Sequence, residues 1–169
     1  MSSVLNFGIL TISDRSSRGE RPDLSGPALV EAVEALSWKV ALYEIVPDEL
    51  DLIRSQLLSW TDSNTIDVIL TCGGTGFAPR DVTPEATRSV IERLTPGLDE
   101  AMRAASLQVT PHAILSRAIS GIRGQTLIVN LPGSPKAALE NLEIIAPVLE
   151  HAVQLLRNNP AGQQGHLAS

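Results

Sequence analysis

Cysteine, aromatics and lysine are all scarce in this 169-residue chain. Cysteine occurs once, at Cys72, so no internal disulfide can form and the chain suits a reducing compartment. Aromatic residues make up only 3%, too few for the stacking platforms of single-strand nucleic-acid binders. The only lysines are Lys39 and Lys136, and the net charge of -6 argues against a general nucleic-acid surface. No apolar run approaches a membrane span. The start of the chain lacks the basic segment and hydrophobic run of a secretory signal, so a cytoplasmic protein is expected. His112, His151 and His166 lie apart and form no Cys/His cluster of the kind structural zinc needs. There is no Gly-x-Ser-x-Gly elbow of a serine hydrolase, no dinucleotide fingerprint and no P-loop.

What remains is a compact apolar chain. Hydrophobic residues make up 43%, enough for one domain, set at 1–157, with a polar, Gly-rich tail from Asn158 onward expected to be disordered. Strand-like and helix-like segments alternate. Strands are expected over Leu5–Ile12, Lys39–Val46, Ile66–Cys72, Ala118–Ile122 and Thr126–Leu131. Helices are expected from Pro27, from near Asp48, over Pro84–Leu94 and from Gly97, and two closing stretches are divided or kinked at Pro147. That order implies a three-layer α/β fold with a mostly parallel sheet and one antiparallel strand from a hairpin.

The most informative stretch is Thr71-Cys-Gly-Gly-Thr-Gly-Phe-Ala-Pro-Arg-Asp-Val-Thr-Pro-Glu85. It follows an apolar strand and precedes helix-start signals: Thr83 as N-cap, Pro84 at the first helical position and Glu85 in the first turn. Gly73, Gly74 and Gly76 let the backbone turn sharply and present N–H groups to a ligand. Arg80 and Asp81 follow in the same loop. In a parallel sheet, ligands collect beyond the carboxyl ends of the strands. Ser13 and Asp14, Asp48, the glycine loop and Pro132-Gly133-Ser134 all fall at such ends. Each also has a bland reading. Asp48 could cap the second helix. Asp81 could pair with Arg80 or serve the turn, Asp14 could form an ordinary loop pair with Arg15, and Ser134 could simply cap the last helix.

Taken in order, these segments resemble the molybdopterin adenylyltransferases of the MogA type, related to the G domain of the eukaryotic two-domain molybdenum-cofactor enzymes. Thr11-Ile-Ser-Asp-Arg15, Val46-Pro-Asp-Glu49, Gly-Gly-Thr-Gly-Phe-Ala-Pro-Arg-Asp-Val-Thr-Pro-Glu85, Pro96-Gly97, Ala113-Ile-Leu-Ser-Arg117 and Asn130-Leu-Pro-Gly-Ser-Pro-Lys-Ala137 carry the likeness. Together they run over nearly the whole chain. Two positions depart from the pattern. Cys72 precedes the glycines at a variable place, and Ser134 stands where many members carry Asn or Gln. Serine still caps a helix and accepts a hydrogen bond.

The resemblance implies Mg2+-dependent transfer of AMP from ATP to the terminal phosphate of molybdopterin, with pyrophosphate released. Asp48 and Asp81 match aspartates important in the family and would hold and orient Mg2+. Ser13, Asp14, Gly73, Gly74, Thr75, Gly76, Arg80 and Thr83 would bind substrate. Ser116, Arg117, Pro132, Gly133 and Ser134 would help hold the pterin and its phosphate. A homotrimer and hand-over to a molybdate-insertion enzyme are also implied, with no nucleic acid or membrane as partner. Two alternatives stay open: a MoaB-like pterin-binding or scaffolding protein with little turnover, and a domain from the molybdate-insertion branch.

Overall fold

The structure, a computed structural model, describes residues 4–158. Of the tail expected to be disordered from Asn158 onward, only Asn158 is described, as a turn residue whose amide donates to Leu155 O at 3.1 Å; residues 159–169 lie outside the described residues. Three apolar runs form the centre of one sheet: β1 (Asn6–Ile12), β3 (Val68–Cys72) and β6 (Thr126–Leu131), buried along nearly their whole length. Such runs suit parallel strands covered on both faces. Strand β2 (Lys39–Val46) pairs with β1 at one edge and is largely solvent-facing. At the other side, β5 (Ser120–Arg123) runs antiparallel to β6, and the two-residue β4 (Arg93–Leu94) pairs antiparallel with β5. The strand order is β2-β1-β3-β6-β5-β4.

Successive strand residues point to opposite faces, and two cores result. On one face Phe7, Ile9, Leu70 and Val129 meet α2 (Ser25–Ala35), α5 (Pro96–Leu107) and α6 (Pro135–Leu156). On the other, Leu10, Ile69 and Ile128 meet Ile53, Leu57 and Trp60 of α3 (Leu50–Asp62) and Ala86 of α4 (Thr83–Arg88). Helix, sheet and helix thus make three layers, as expected. A four-residue helix, α1 (Asp14–Ser17), follows β1 and was not among the expected helices.

Three expectations need correction. The helix over Pro84–Leu94 stops at Arg88, and Arg93–Leu94 is a strand. The Ser89 hydroxyl bonds back to the Ala86 carbonyl at 2.7 Å, while Glu92 N–H donates to Ile122 O at 2.8 Å and Thr95 N–H to Ser120 O at 3.0 Å. Pairing with the β5 hairpin takes the backbone groups that further helix would need. Helix α6 is continuous through Pro147. Pro147 faces solvent, while Leu142, Ile145, Leu149 and Val153 are buried and hold the helix to the sheet; packing overrides the local cost of proline. Finally, α2 begins at Ser25, ahead of Pro27, because Asp23 Oδ1 accepts from the Ser25 and Gly26 amides, both at 3.1 Å.

Candidate active site

The sheet reverses its winding between β1 and β3, since β2 is added on one side of β1 and β3 on the other. Loops leaving the two strands part there and open a crevice. A cavity of about 800 Å3 occupies it, lined among others by Ser13, Asp14, Asp48, Gly73, Gly74, Asp81, Gly133 and Ser134. Eight predicted site residues, far apart in sequence, therefore share one cavity.

Backbone geometry explains the glycines. Gly73 has φ +104°, and a Cβ there would lie 2.3 Å from the Ile12 carbonyl oxygen. Gly74 has φ +68°, and its Cβ would meet Thr83 Oγ1 at 2.3 Å. Both positions combine a left-handed backbone with a close approach that only glycine permits. Thr83 was expected to cap α4; instead Val82 occupies the cap position and Thr83 opens the helix. Its hydroxyl donates to Gly73 O at 2.9 Å and its amide to Gly74 O at 3.1 Å, so Thr83 staples the loop.

Asp48 does not cap α3. Glu49 takes the cap position and makes no side-chain cap bond. Asp48 and Asp14 instead exchange bonds across 34 positions: Asp14 N–H donates to Asp48 Oδ2 at 2.9 Å, and Asp48 N–H donates to Asp14 Oδ1 at 3.1 Å. This cross-link fixes the loops after β1 and β2. Asp48 Oδ1 accepts no hydrogen bond from the described residues and lies 3.1 Å from the position a Gly74 Cβ would take. Burial, chiefly, and then the neighbouring carboxylates of Asp14 and Asp81 raise the Asp48 pKa, against the Asp14 amide and Arg80, which lower it.

Asp81 does not pair with Arg80. Its Oδ2 accepts from Ala78 N–H at 3.0 Å, which is the turn-serving reading. Arg80 reaches Asp14, with Nη2 at 3.0 Å from Oδ1, and Glu49 Oε1 at 2.8 Å. That contact holds the Asp14 carboxyl below its ordinary pKa. Arg15 is not its partner.

A second cavity of about 260 Å3 lies on the far side of the glycine loop, lined by Thr75, Gly76, Ser116 and Pro132 with Met102 and Leu115. The two cavities cut across the predicted groups of ligand contacts: Thr75 and Gly76 line the smaller one with Ser116 and Pro132, whereas Gly133 and Ser134 line the larger one with Ser13 and Asp14. Arg80, Thr83 and Arg117 line neither. Ser134 Oγ accepts from Ala137 N–H at 3.2 Å and caps α6, as expected, while also facing the larger cavity.

Sequence reasoning missed Glu49 as the second partner of Arg80, Glu85 as the partner of Arg117, and Asp23 and Ser25 in the cavity wall. Asp23, three residues before Gly26, carried a cap signal that could have been read. Glu49 and Glu85 carried none, because their partners lie 31 and 32 positions away.

As a donor set, Asp48 and Asp81 offer carboxylate oxygens to one cavity, which suits a hard cation that keeps its waters and shares substrate phosphates. Among the described residues no group of three or more His, Cys, Asp or Glu side chains could hold a metal ion by itself. The cavity therefore brings together the carboxylates of Asp14, Asp23, Asp48 and Asp81, a glycine loop and the capped start of a long helix, parts that metal-assisted phosphate chemistry uses.

Comparison with known proteins agrees with that class. Residues 8–151 match the family described as "Probable molybdopterin binding domain". The chain is 45% identical over 158 residues to a molybdopterin adenylyltransferase of Helicobacter pylori strain J99, covering 92% of this chain and 90% of that protein. It is 47% identical over 163 residues to gephyrin of Dictyostelium discoideum, covering 90% of this chain but only 23% of that longer protein. The solved structure of the molybdopterin biosynthesis enzyme MoaB from Thermus thermophilus superposes with a TM-score of 0.87 at 52% identity, covering 93% of this chain and 99% of that one. This chain belongs to the molybdopterin-binding family of molybdenum-cofactor biosynthesis proteins.

Proposed function

We propose that this chain, through residues 1–157, transfers AMP from ATP to the terminal phosphate of molybdopterin in molybdenum-cofactor biosynthesis. The observation that carries this reading is Asp48: half-buried, cross-linked to Asp14, yet with one carboxylate oxygen unused in a residue that lines the glycine-loop cavity. By contrast, the buried Asp67 at the opposite end of the sheet has both carboxylate oxygens taken up by the fold.

In the reaction, an oxygen of the pterin's phosphate attacks the α-phosphorus of ATP. The bond from that phosphorus to the α,β-bridging oxygen breaks, and pyrophosphate leaves with the electron pair. Two anions must be held together, so positioning and charge neutralisation dominate. The larger cavity takes the nucleotide phosphates at the Gly74 amide and at the Ser134 end of α6, while the Gly73 amide is held by Leu131 O at 3.2 Å. Arg80, held only by carboxylates, can turn to a phosphate. The smaller cavity, with Ser116 and Pro132, takes the pterin. Asp48 and Asp81 would hold Mg2+, which when bound supplies positive charge at the reacting phosphates.

The same reading includes a homotrimer, a cytoplasmic location and hand-over of the adenylylated product to a molybdate-insertion enzyme. Among the described residues no helix is long and apolar enough to cross a membrane. Incubating the purified protein with ATP, Mg2+ and molybdopterin should release pyrophosphate and form adenylyl-molybdopterin. Tight pterin binding without either product would favour a MoaB-like binding protein instead.

A further inference from the structure

Arg117 stands just before β5, and nearly everything it can donate goes to the glycine loop. Its amide donates to Thr75 O at 2.9 Å. Its Nε donates to Gly76 O at 2.8 Å and its Nη2 to Asp81 O at 2.7 Å. Nη1 pairs with Glu85 Oε1 at the start of α4, and Nη2 lies 3.4 Å from Glu85 Oε2. That ion pair raises the Arg117 pKa and lowers that of Glu85. One residue therefore gathers carbonyls from both ends of the segment 75–81. Within that segment the loop supplies little of its own support, chiefly Asp81 N–H to Ala78 O at 2.9 Å and Ala78 N–H to the Asp81 carboxylate.

We infer that Arg117 is a positioning residue: it clamps the 75–81 loop so that the Asp81 carboxylate stays aimed into the larger cavity, and it does not hold substrate phosphate. A planar fork with donors in fixed directions can bridge Gly76 and Asp81 at once. A lysine ammonium on a flexible stem cannot hold both with the same geometry, although it keeps the positive charge that a phosphate would want. A displacement of about 1 Å in a reacting group can cost roughly a hundredfold in rate. The kinetic part of this inference rests on the proposed AMP transfer; the clamp itself does not.

The test is Arg117→Lys, read in two ways. In the ligand-free protein, amide hydrogen exchange across residues 75–82 should rise at least tenfold, while the β3 and β6 amides stay protected. In the AMP-transfer assay, kcat should fall tenfold or more with KM for ATP and for molybdopterin within about threefold. Unchanged exchange in the loop overturns the clamp, whatever the activity. A tenfold rise in either KM with kcat preserved also overturns it, because that is the signature of a binding contact. If the wild-type protein proves inactive, the AMP-transfer reading fails and the exchange measurement still decides the clamp. Should Arg117→Lys not fold, Glu85→Gln removes the ion pair and leaves the carbonyl contacts: loop exchange should rise at least twofold, and no rise overturns the inference.

Discussion

Two aspartates at opposite ends of the same sheet, Asp67 buried and Asp48 half-buried, do different work. Asp67 precedes β3 at the amino ends of the strands. Its Oδ2 accepts from Asn6 N–H at 2.8 Å, and its Oδ1 takes Arg157 Nε at 3.1 Å together with Arg157 Nη2. Both oxygens are used, and they tie the end of α6 to β1 and β3. Asp48 follows β2 at the carboxyl ends. It has one amide donor, no arginine of its own and one oxygen idle, with burial pushing its pKa up. The contrast separates a carboxylate whose two oxygens both hold the fold together from one that ties two loops with one oxygen and leaves the other free. Strained or uncompensated groups gather where a site needs them.

The largest expected effect lies at the idle end. Asp81→Asn keeps an acceptor for the Ala78 amide but removes the charge. AMP transfer should fall about a hundredfold or more, equivalent to about 2.7 kcal/mol of barrier, with pterin binding and melting temperature close to wild type. Near-normal transfer by that variant would remove Asp81 from the chemistry. At the satisfied end the expected loss is of stability. Asp67→Ala leaves Arg157 and the Asn6 amide without their acceptor and should cost about 2–3 kcal/mol, measured by denaturant unfolding. The folded fraction should still transfer AMP at the wild-type rate. A cost below about 0.5 kcal/mol would make that pair incidental.

The smallest effect belongs to Cys72. It is buried in the larger cavity's floor, 3.4 Å from Thr11 Oγ1, and burial pushes its thiol up to about 12. At neutral pH it carries no thiolate to serve as nucleophile. Cys72→Ser should leave transfer within about twofold and cost about 1 kcal/mol of stability. Inactivation of a folded variant would reveal thiol chemistry.

These residues also mark what the sequence makes legible. The central strands are unbroken apolar runs, and the glycine loop sits between a strand and a helix start, so layers and site location follow from local pattern. The shortened α4 does not, because its end is decided by pairing of Glu92 and Thr95 with a hairpin about 30 positions away. Pro147 misled for a similar reason: the buried stripe of α6 outweighs one missing backbone bond on the solvent side. The Asp48–Asp14 exchange and the reach of Arg80 to Asp14 span 34 and 66 positions. No periodicity encodes such contacts. The family resemblance singled out Asp14, Asp48, Arg80 and Arg117 but carried none of these contacts, nor those of Arg117 with Gly76 O, Asp81 O and Glu85.

The most direct test of the central claim is Asp48→Asn, with AMP transfer and thermal stability measured on one preparation at pH 7. Because the Asp48 pKa is raised in the folded protein, its ionised form costs stability at neutral pH, and that cost fades as pH falls through the raised value. Asparagine retains an acceptor for the Asp14 amide and removes the half-buried charge. The predicted result is transfer reduced about a hundredfold or more in a protein that melts no lower than wild type. Near-wild-type transfer would contradict the account, as would a loss of activity that merely tracks a loss of stability.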